Sequence, residues 1–248
     1  MDTRIMKKLI LIFIALLIAI PCFARSVQDA HKSVIARMNV ASCTRTTGTY
    51  LSEGFEDAGY EAMTGAETVG ASCSLDEDST TNLYICGGAQ NLESVSAADG
   101  YEAIKYHDIG AEQATTYGRF YFYVVTSIGS TTKNIFACYD TSWVNAFNIG
   151  IVDNGSLKAY VSGTEITYDE LIISYDTWHY VEWKHDITGN SFEWWVDGVS
   201  QGTDSTINAS VTGIEHVYIG WKKAADQNTG TIYFDLLDIH SSQLGAVK

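Results

Sequence analysis

The chain has 248 residues and a single proline, Pro21, and no stretch after Ile20 is apolar and long enough to cross a membrane as a helix. Beyond Pro21, no proline interrupts a strand and none marks a stiff linker between two domains. Basic residues are scarce: 15 Lys and Arg stand against 30 Asp and Glu, for a formal charge of −15. A surface of that sign repels phosphate backbones and anionic lipid, which argues against nucleic acid as a partner. It keeps an exported protein soluble and tolerates calcium. There is no Cys-x-x-Cys pair and no compact Cys/His cluster, so zinc-ligand spacing is absent. The six histidines are scattered, with no His-x-x-x-His pair and no Ser/His/Asp arrangement. No internal repeat or low-complexity tract occurs.

What is present begins with an export signal. Arg4, Lys7 and Lys8 give a positive start, Leu9 to Ile20 an apolar run, and Cys22-Phe23-Ala24 a site for cleavage before Arg25. A lipid-modified Cys22 is the weaker reading, because Ile20-Pro21 suits such a cysteine poorly, and retention as an uncleaved anchor is a further alternative. Cleavage leaves a secreted or extracytoplasmic chain without a membrane span. Residues 25–50 read as a lead-in, a short helix (VQDAHKSVIARM) followed by a mobile Thr-rich run. Residues 51–248 read as one all-β domain, with short runs rich in Tyr, Val, Ile, Thr and Trp between Gly, Asn, Asp and Ser.

Cys43, Cys73, Cys86 and Cys138 survive cleavage, an even count that permits two disulfides in an oxidising compartment. Cys73 and Cys86 flank the acidic stretch Ser74 to Tyr84 and are expected to staple it as a loop, which leaves Cys43 to pair with Cys138. Buried free thiols are the competing reading, strongest for Cys138. Within that loop Asp76-Glu77-Asp78 is the densest acidic cluster. Asp76, Asp78 and, before the Asn154-Gly155 turn signal, Asp153 are the candidate calcium ligands, although their order does not match an EF-hand loop. A solvated acidic turn explains them equally without a metal, and no cofactor is required by any motif.

Strands are expected at Glu67–Cys73, Asn82–Cys86, Ala89–Val95, Tyr101–Tyr106, Asn134–Tyr139, Val144–Val152, Ser156–Val161, Ile214–Trp221 and Thr231–His240. Gly118–Ser127 is apolar on both faces and is expected to be covered on both sides. The densest information lies in Asp176 to Gly198, DTWHYVEWKHDITGNSFEWWVDG, two alternating strands joined by Ile187-Thr188-Gly189-Asn190 and closed by an Asp-Gly turn. With Asp186 facing Ser191, Trp183 meets Trp194, Val181 meets Val196 and His185 meets Phe192 on one face. Glu182 meets Trp195 and Lys184 meets Glu193 on the other. A slip of one residue scatters both sets, so the pattern selects the register.

These strands resemble the laminin-G-like, concanavalin A-like lectin/glucanase superfamily. Glu53-Gly54-Phe55-Glu56 is similar to its first strand. Asp176-Thr177-Trp178-His179-Tyr180-Val181-Glu182 with Trp194-Trp195-Val196-Asp197-Gly198 is similar to its Trp-x-x-Val and Val-Asp-Gly signature, and Gly230 to Asp235 to its last strand. The family's adjacent acidic pair in that last strand is broken, because Leu236 follows Asp235. The resemblance implies an antiparallel two-sheet jelly-roll sandwich, with glycan- or protein-binding roles and in some members a rim calcium. It also spans hydrolases and lyases, so fold alone does not give function.

The candidate ligand site is the polar face of the hairpin: Tyr180, Glu182, Lys184, Glu193 and Trp195. An aromatic plate flanked by carboxylates and an ammonium suits a sugar ring, whose C–H face stacks while its hydroxyls bond at the edge. The plainer reading has Trp195 packed under a loop or the second sheet, with Lys184 and Glu193 as a cross-strand ion pair. Glu182 and Glu193, roughly 7–8 Å apart at the backbone, also permit a glycoside-hydrolysing pair. Against that, the Glu-x-Asp-x-x-Glu strand of the related glucanases is absent, as are the Arg-rich and Gln-x-His strands of jelly-roll alginate lyases. Lys184 beside Glu193 favours an ionised carboxyl where a general acid needs a protonated one. The expected function is a secreted, non-catalytic binding module for a glycan or cell-surface ligand. The alternatives are a polysaccharide-degrading enzyme and a protein-binding adhesion or assembly module.

Overall fold

A computed structural model describes residues 50–53, 55, 63–69, 73–78, 91–97, 102–125, 132–152, 155–166, 171–207, 210–222 and 229–244. The expected signal, most of the lead-in, Cys43, Cys86, Asp153, Asn154 and the expected strand Asn82–Cys86 lie outside the described residues. The first strands are β1 (Leu51–Glu53), β2 (Gly65–Val69), β3 (Cys73–Asp78), β4 (Asn91–Ala97), β5 (Glu102–Gln113) and β6 (Thr115–Val124). Next come β7 (Lys133–Tyr139), β8 (Asn145–Ile151), β9 (Ser156–Val161), β10 (Thr164–Glu165) and β11 (Leu171–Ile172). The chain continues through β12 (Trp178–Asp186), β13 (Ser191–Val196), β14 (Val199–Asp204), β15 (Ile214–Lys222) and β16 (Thr229–His240).

The strands form two antiparallel eight-stranded sheets. The first runs β14-β13-β12-β6-β16-β4-β3, with β1 also on β16, and the second runs β10-β9-β8-β7-β15-β5-β2, with β11 on β9. Sequence-distant strands such as β6, β12 and β16 lie side by side, as a jelly roll requires.

The central hairpin has the expected register: Trp183 faces Trp194, Glu182 faces Trp195 and Lys184 faces Glu193. Period-2 alternation then sorts the faces. Trp183 and Trp194 are 2% and 0% exposed, whereas Trp195 is only partly covered. The turn after β13 has Asp197 and Gly198 both at positive φ (50° and 78°), the conformation that a tight two-residue hairpin demands and that Asp-Gly supplies. Asp197 also clamps the start of β12, since its carboxylate accepts the Tyr180 N–H at 3.0 Å and meets His179 Nδ1 at 2.7 Å.

Aromatic side chains from both sheets meet between them. Phe120 on β6 stacks on Phe136 on β7 at 4.8 Å, Trp183 approaches Phe136 at 4.6 Å, and Phe192 approaches Phe147 at 4.7 Å. Trp183 fits only because its cross-strand neighbour on β6 is Gly118: a Cβ there would lie 1.8 Å from the indole.

Three expectations are corrected. Asp76-Glu77-Asp78 is not a loop but the end of edge strand β3, pairing with Glu93, Leu92 and Asn91 of β4. Leu75 packs on the core and anchors that strand, and an edge strand tolerates charge. Cys138 is a free thiol, so the expected bridge from Cys43 is not formed. Its place on β7 explains this: it is 1% exposed within the apolar core, and burial raises its thiol pKa well above the ordinary value. Finally, β6 is sealed on its inward face by Phe120, Phe122 and Val124, but its outward face alternates with partly exposed Tyr117, Arg119 and Tyr123 rather than lying beneath a third layer.

Two measurements test this core. Gly118→Ala is expected to cost roughly 3 kcal/mol or more, the upper end of overpacking penalties. Truncating Trp183 or Trp194 to Ala is expected to cost about 3–5 kcal/mol, and Trp195→Ala much less. Denaturant midpoints that fall equally for all three tryptophans would contradict the register.

A second test concerns His185, which is fully buried beside Phe147 (5.7 Å) and Phe192 (6.3 Å), with neither ring nitrogen hydrogen-bonded among the described residues. Burial pushes its pKa down to about 4, against the opposing pull of Asp186. Because the unfolded chain then binds the extra proton, the stability gained from a neutral His185 is full above pH ~6.5 and is lost as pH falls toward ~4, on the order of 3 kcal/mol. His185→Leu should flatten that slope in denaturation series at several pH values, leaving a residue from His240, whose pKa burial also lowers. Parallel slopes for parent and variant would contradict this account.

Candidate functional site

The outward face of the first sheet is a grid of side chains fixed by register. One row crosses β13, β12, β6 and β16 as Trp195, Glu182, Arg119 and Asp238. The next row is Glu193, Lys184, Tyr117 and His240. Side chains of opposite charge alternate within the first row.

Contacts follow the grid. Glu182 Oε1 accepts from Arg119 Nε at 3.0 Å and also from Arg119 Nη2, a fixed fork on one carboxylate oxygen. Lys184 Nζ sits between Glu193 (3.5 Å) and Asp186 (3.7 Å), as expected for a cross-strand pair. Both Lys184 contacts are partly exposed and worth little as stabilisers. The guanidinium of Arg119 lies 5.9 Å from the centre of the Tyr180 ring, and Tyr180 packs on Tyr121 at 5.3 Å. Asp186 holds the β12–β13 turn, and its pKa lies below the usual value chiefly because it accepts the Gly189 N–H at 2.8 Å.

Above this grid is an open groove of about 470 Å³. All five expected ligand residues, Tyr180, Glu182, Lys184, Glu193 and Trp195, line it, together with Tyr117, Gly198 and the segment after β16, through Gln243 and Leu244. Trp195 therefore borders open space rather than packing beneath the second sheet. The expected metal ligands are elsewhere: residues 76 and 78 belong to the edge strand β3. Among the described residues no group of three or more His, Cys, Asp or Glu converges as a metal site requires, and no helix is long and apolar enough to cross a membrane.

Arg119, Tyr117, Tyr121 and Gln243 are absent from the sequence-based expectation. A hairpin shows its own pairing in sequence, but Glu182 meets Arg119 across two strands 63 residues apart. The only sequence signal was Arg119 interrupting the aromatic run GRFYFYV, a charge in a strand otherwise read as buried.

Tyr180 in the groove, and Tyr121 on which it packs, hold their protons. Burial pushes the Tyr121 pKa up, and burial together with Glu182 pushes Tyr180 up. A tyrosine acting as a base needs the opposite shift. The surface is built of hydrogen-bonding groups around an aromatic plate, with its best-placed carboxylate already engaged by Arg119.

No protein-family model matches the chain, and no curated protein matches it. Solved structures do. Cellulose induced protein, Cip1, is similar with a TM-score of 0.61 and 16% identity, over 79% of this chain and 100% of that one. The receptor binding domain of botulinum neurotoxin mosaic serotype C/D is similar with a TM-score of 0.50 and 14% identity, over 79% of this chain and 48% of that one. The botulinum neurotoxin serotype D ligand binding domain, solved in complex with N-acetylneuraminic acid, gives 0.50 and 13% over the same shares. The chain spans about half the length of those toxin domains. At such identities the likeness is one of fold, and the fold is an all-β, two-sheet, concanavalin A-like jelly-roll sandwich.

Proposed function

We propose that this protein is an exported, non-catalytic carbohydrate-binding module, directed out of the cell by residues 1–24, and that the groove of the first sheet holds its glycan. The observation that carries the reading is the convergence of Tyr180, Glu182, Lys184, Glu193 and Trp195 on one open groove. A sugar ring stacks its C–H face on Trp195 and exchanges hydrogen bonds with Lys184, Glu193 and the free edge of Glu182. The groove's cations sit beside carboxylates, Arg119 with Glu182 and Lys184 with Glu193, which suits an uncharged sugar better than a polyanion. Two of the fold neighbours lend circumstantial support, one being a cellulose-induced protein and the other a domain solved with a sugar. A hydrolase or lyase is the weaker reading, since Glu182 is tied to Arg119 and the pKa of Tyr180 is raised.

A glycan array, screened with and without calcium, followed by calorimetry on the best hit, tests this. Trp195→Ala should weaken binding at least about tenfold, because an aromatic contact of ~1.5 kcal/mol corresponds to one decade, and should leave the unfolding midpoint nearly unchanged. Glu182→Gln should weaken binding by less than about tenfold, since the amide keeps a carbonyl acceptor. Unaltered binding by Trp195→Ala would remove the site. Turnover of a polysaccharide that Glu182→Gln stops would replace the module with an enzyme. Silence toward sugars with binding to a protein would favour an adhesion role.

A further inference from the structure

The second sheet carries an aromatic surface on its own outward face, away from the groove. Inward-facing Val217 and Ile219 of β15 are in the core, so His216 and Tyr218 point out. In the turn between β7 and β8, Trp143 adopts a left-handed backbone (φ 62°) and is 55% exposed. Its conformation is held locally. Asp140 Oδ1 accepts the N–H groups of Ser142 (2.9 Å) and Val144 (2.8 Å), and the Asp140 carbonyl accepts that of Trp143 (3.0 Å). One face of the indole lies flat on the His216 imidazole, 3.9 Å away and 5° from parallel. Tyr139 and Tyr218 brace it at 6.2 and 6.0 Å, and Tyr218 continues to Tyr106 at 5.8 Å. The ring is thus rigid on one side and open to water on the other.

Two carboxylates flank this platform. Asp108 lies across the ladder from His216, with 3.7 Å between its Oδ1 and the imidazole Nδ1, and its side chain is 42% exposed. Glu112 Oε1 accepts the Thr141 N–H at 3.4 Å and the Thr212 hydroxyl, which places it at the base of the Trp143 turn. Among the described residues neither carboxylate forms an ion pair with a lysine or arginine, unlike Glu182, Glu193 and Glu165. The indole face is itself the negative pole of the ring quadrupole. Negative charge that no described lysine or arginine neutralises, beside a fixed and open aromatic face, is complementary to a planar cation that stacks and donates hydrogen bonds from its edge. A guanidinium meets both demands, whereas an ammonium meets only the charge.

We propose that Trp143, with Asp108 and Glu112, is a docking site for an arginine side chain on a basic segment of a partner protein. It is a second binding surface, on the opposite sheet from the glycan groove and independent of it. The formal charge of −15 on the whole chain steers such a segment toward it.

The test titrates the full-length protein with a short capped Gly-Arg-Gly peptide while the Trp143 indole N–H and the Thr141 and Ser142 amides are followed by NMR. Saturable shifts at these three groups are expected, with the Trp195 indole unmoved. A peptide with citrulline in place of arginine, which keeps the shape and loses the charge, should bind about tenfold more weakly. Trp143→Ala should abolish the response with the thermal midpoint preserved. The double variant Asp108→Asn, Glu112→Gln keeps the carbonyl acceptors that hold the turn, and it should weaken binding several-fold. Equal shifts with the citrulline peptide, or none with arginine, would overturn the proposal. So would a response confined to tetramethylammonium, meaning a free organic cation, or to a neutral oligosaccharide, meaning a second sugar platform.

Discussion

The packing of the Trp183 indole over the bare backbone of Gly118 is the contact on which the sandwich depends. Trp183 sits at the middle of β12, paired with Trp194 on one side and Gly118 on the other, so one residue sets the register of three strands. The same ring reaches across the interior to Phe136 and Phe147, tying the first sheet to the second. A shift of one residue would bring Glu182 and Lys184 inward and turn the tryptophan out, reversing every inside and outside position of that strand. The outer groove and the inner core are therefore two consequences of one alignment.

A second constraint operates in β16. Asp235 and Asp238 are three residues apart, which in a regular strand would place them on opposite faces. The register shift between them, with Leu236 at φ 48°, accommodates one extra residue, so Asp235 pairs with Tyr121 and Asp238 with Arg119. Leu236, the residue that breaks the adjacent acidic pair of the lectin-like superfamily, is thus the residue that lets the strand change partners. β4 lies alongside up to Phe234, and β1 takes that side from Leu237 onward.

The two outward faces differ in electrostatics more than in composition. On the first sheet, Glu182 and Glu193 each have a cation within reach, which offsets their charge beside Trp195. On the second, Asp108 and Glu112 flank Trp143, and among the described residues neither pairs with an arginine or lysine. Similar residue types arranged in this way suit different chemistry, and the two proposals follow from it: hydroxyl-rich rings on one side and a cation on the other. The raised pKa of Tyr180 and the engagement of Glu182 by Arg119 argue against proton transfer in the groove, which is why binding rather than turnover is proposed there.

By itself the sequence determined the all-β class, the β12–β13 register, the Asp-Gly turn and five of the residues that border the groove. All of these rest on alternation within a hairpin, where partners are close in the chain and a two-fold period states which side each residue takes. Cys138 shows the limit of such reading: a count of cysteines suggests pairs, while the free thiol follows from its place on an inward face among aromatic rings. The strand position of Asp76 to Asp78 likewise came from pairing with β4, which no local acidic pattern specifies. Only the tertiary structure brought Arg119 to Glu182, Gln243 to the groove mouth, and Trp143 onto His216. Those meetings join strands far apart in sequence, and their register is decided by how both sheets bury their aromatic faces together, a cooperative packing condition that no short window of sequence contains.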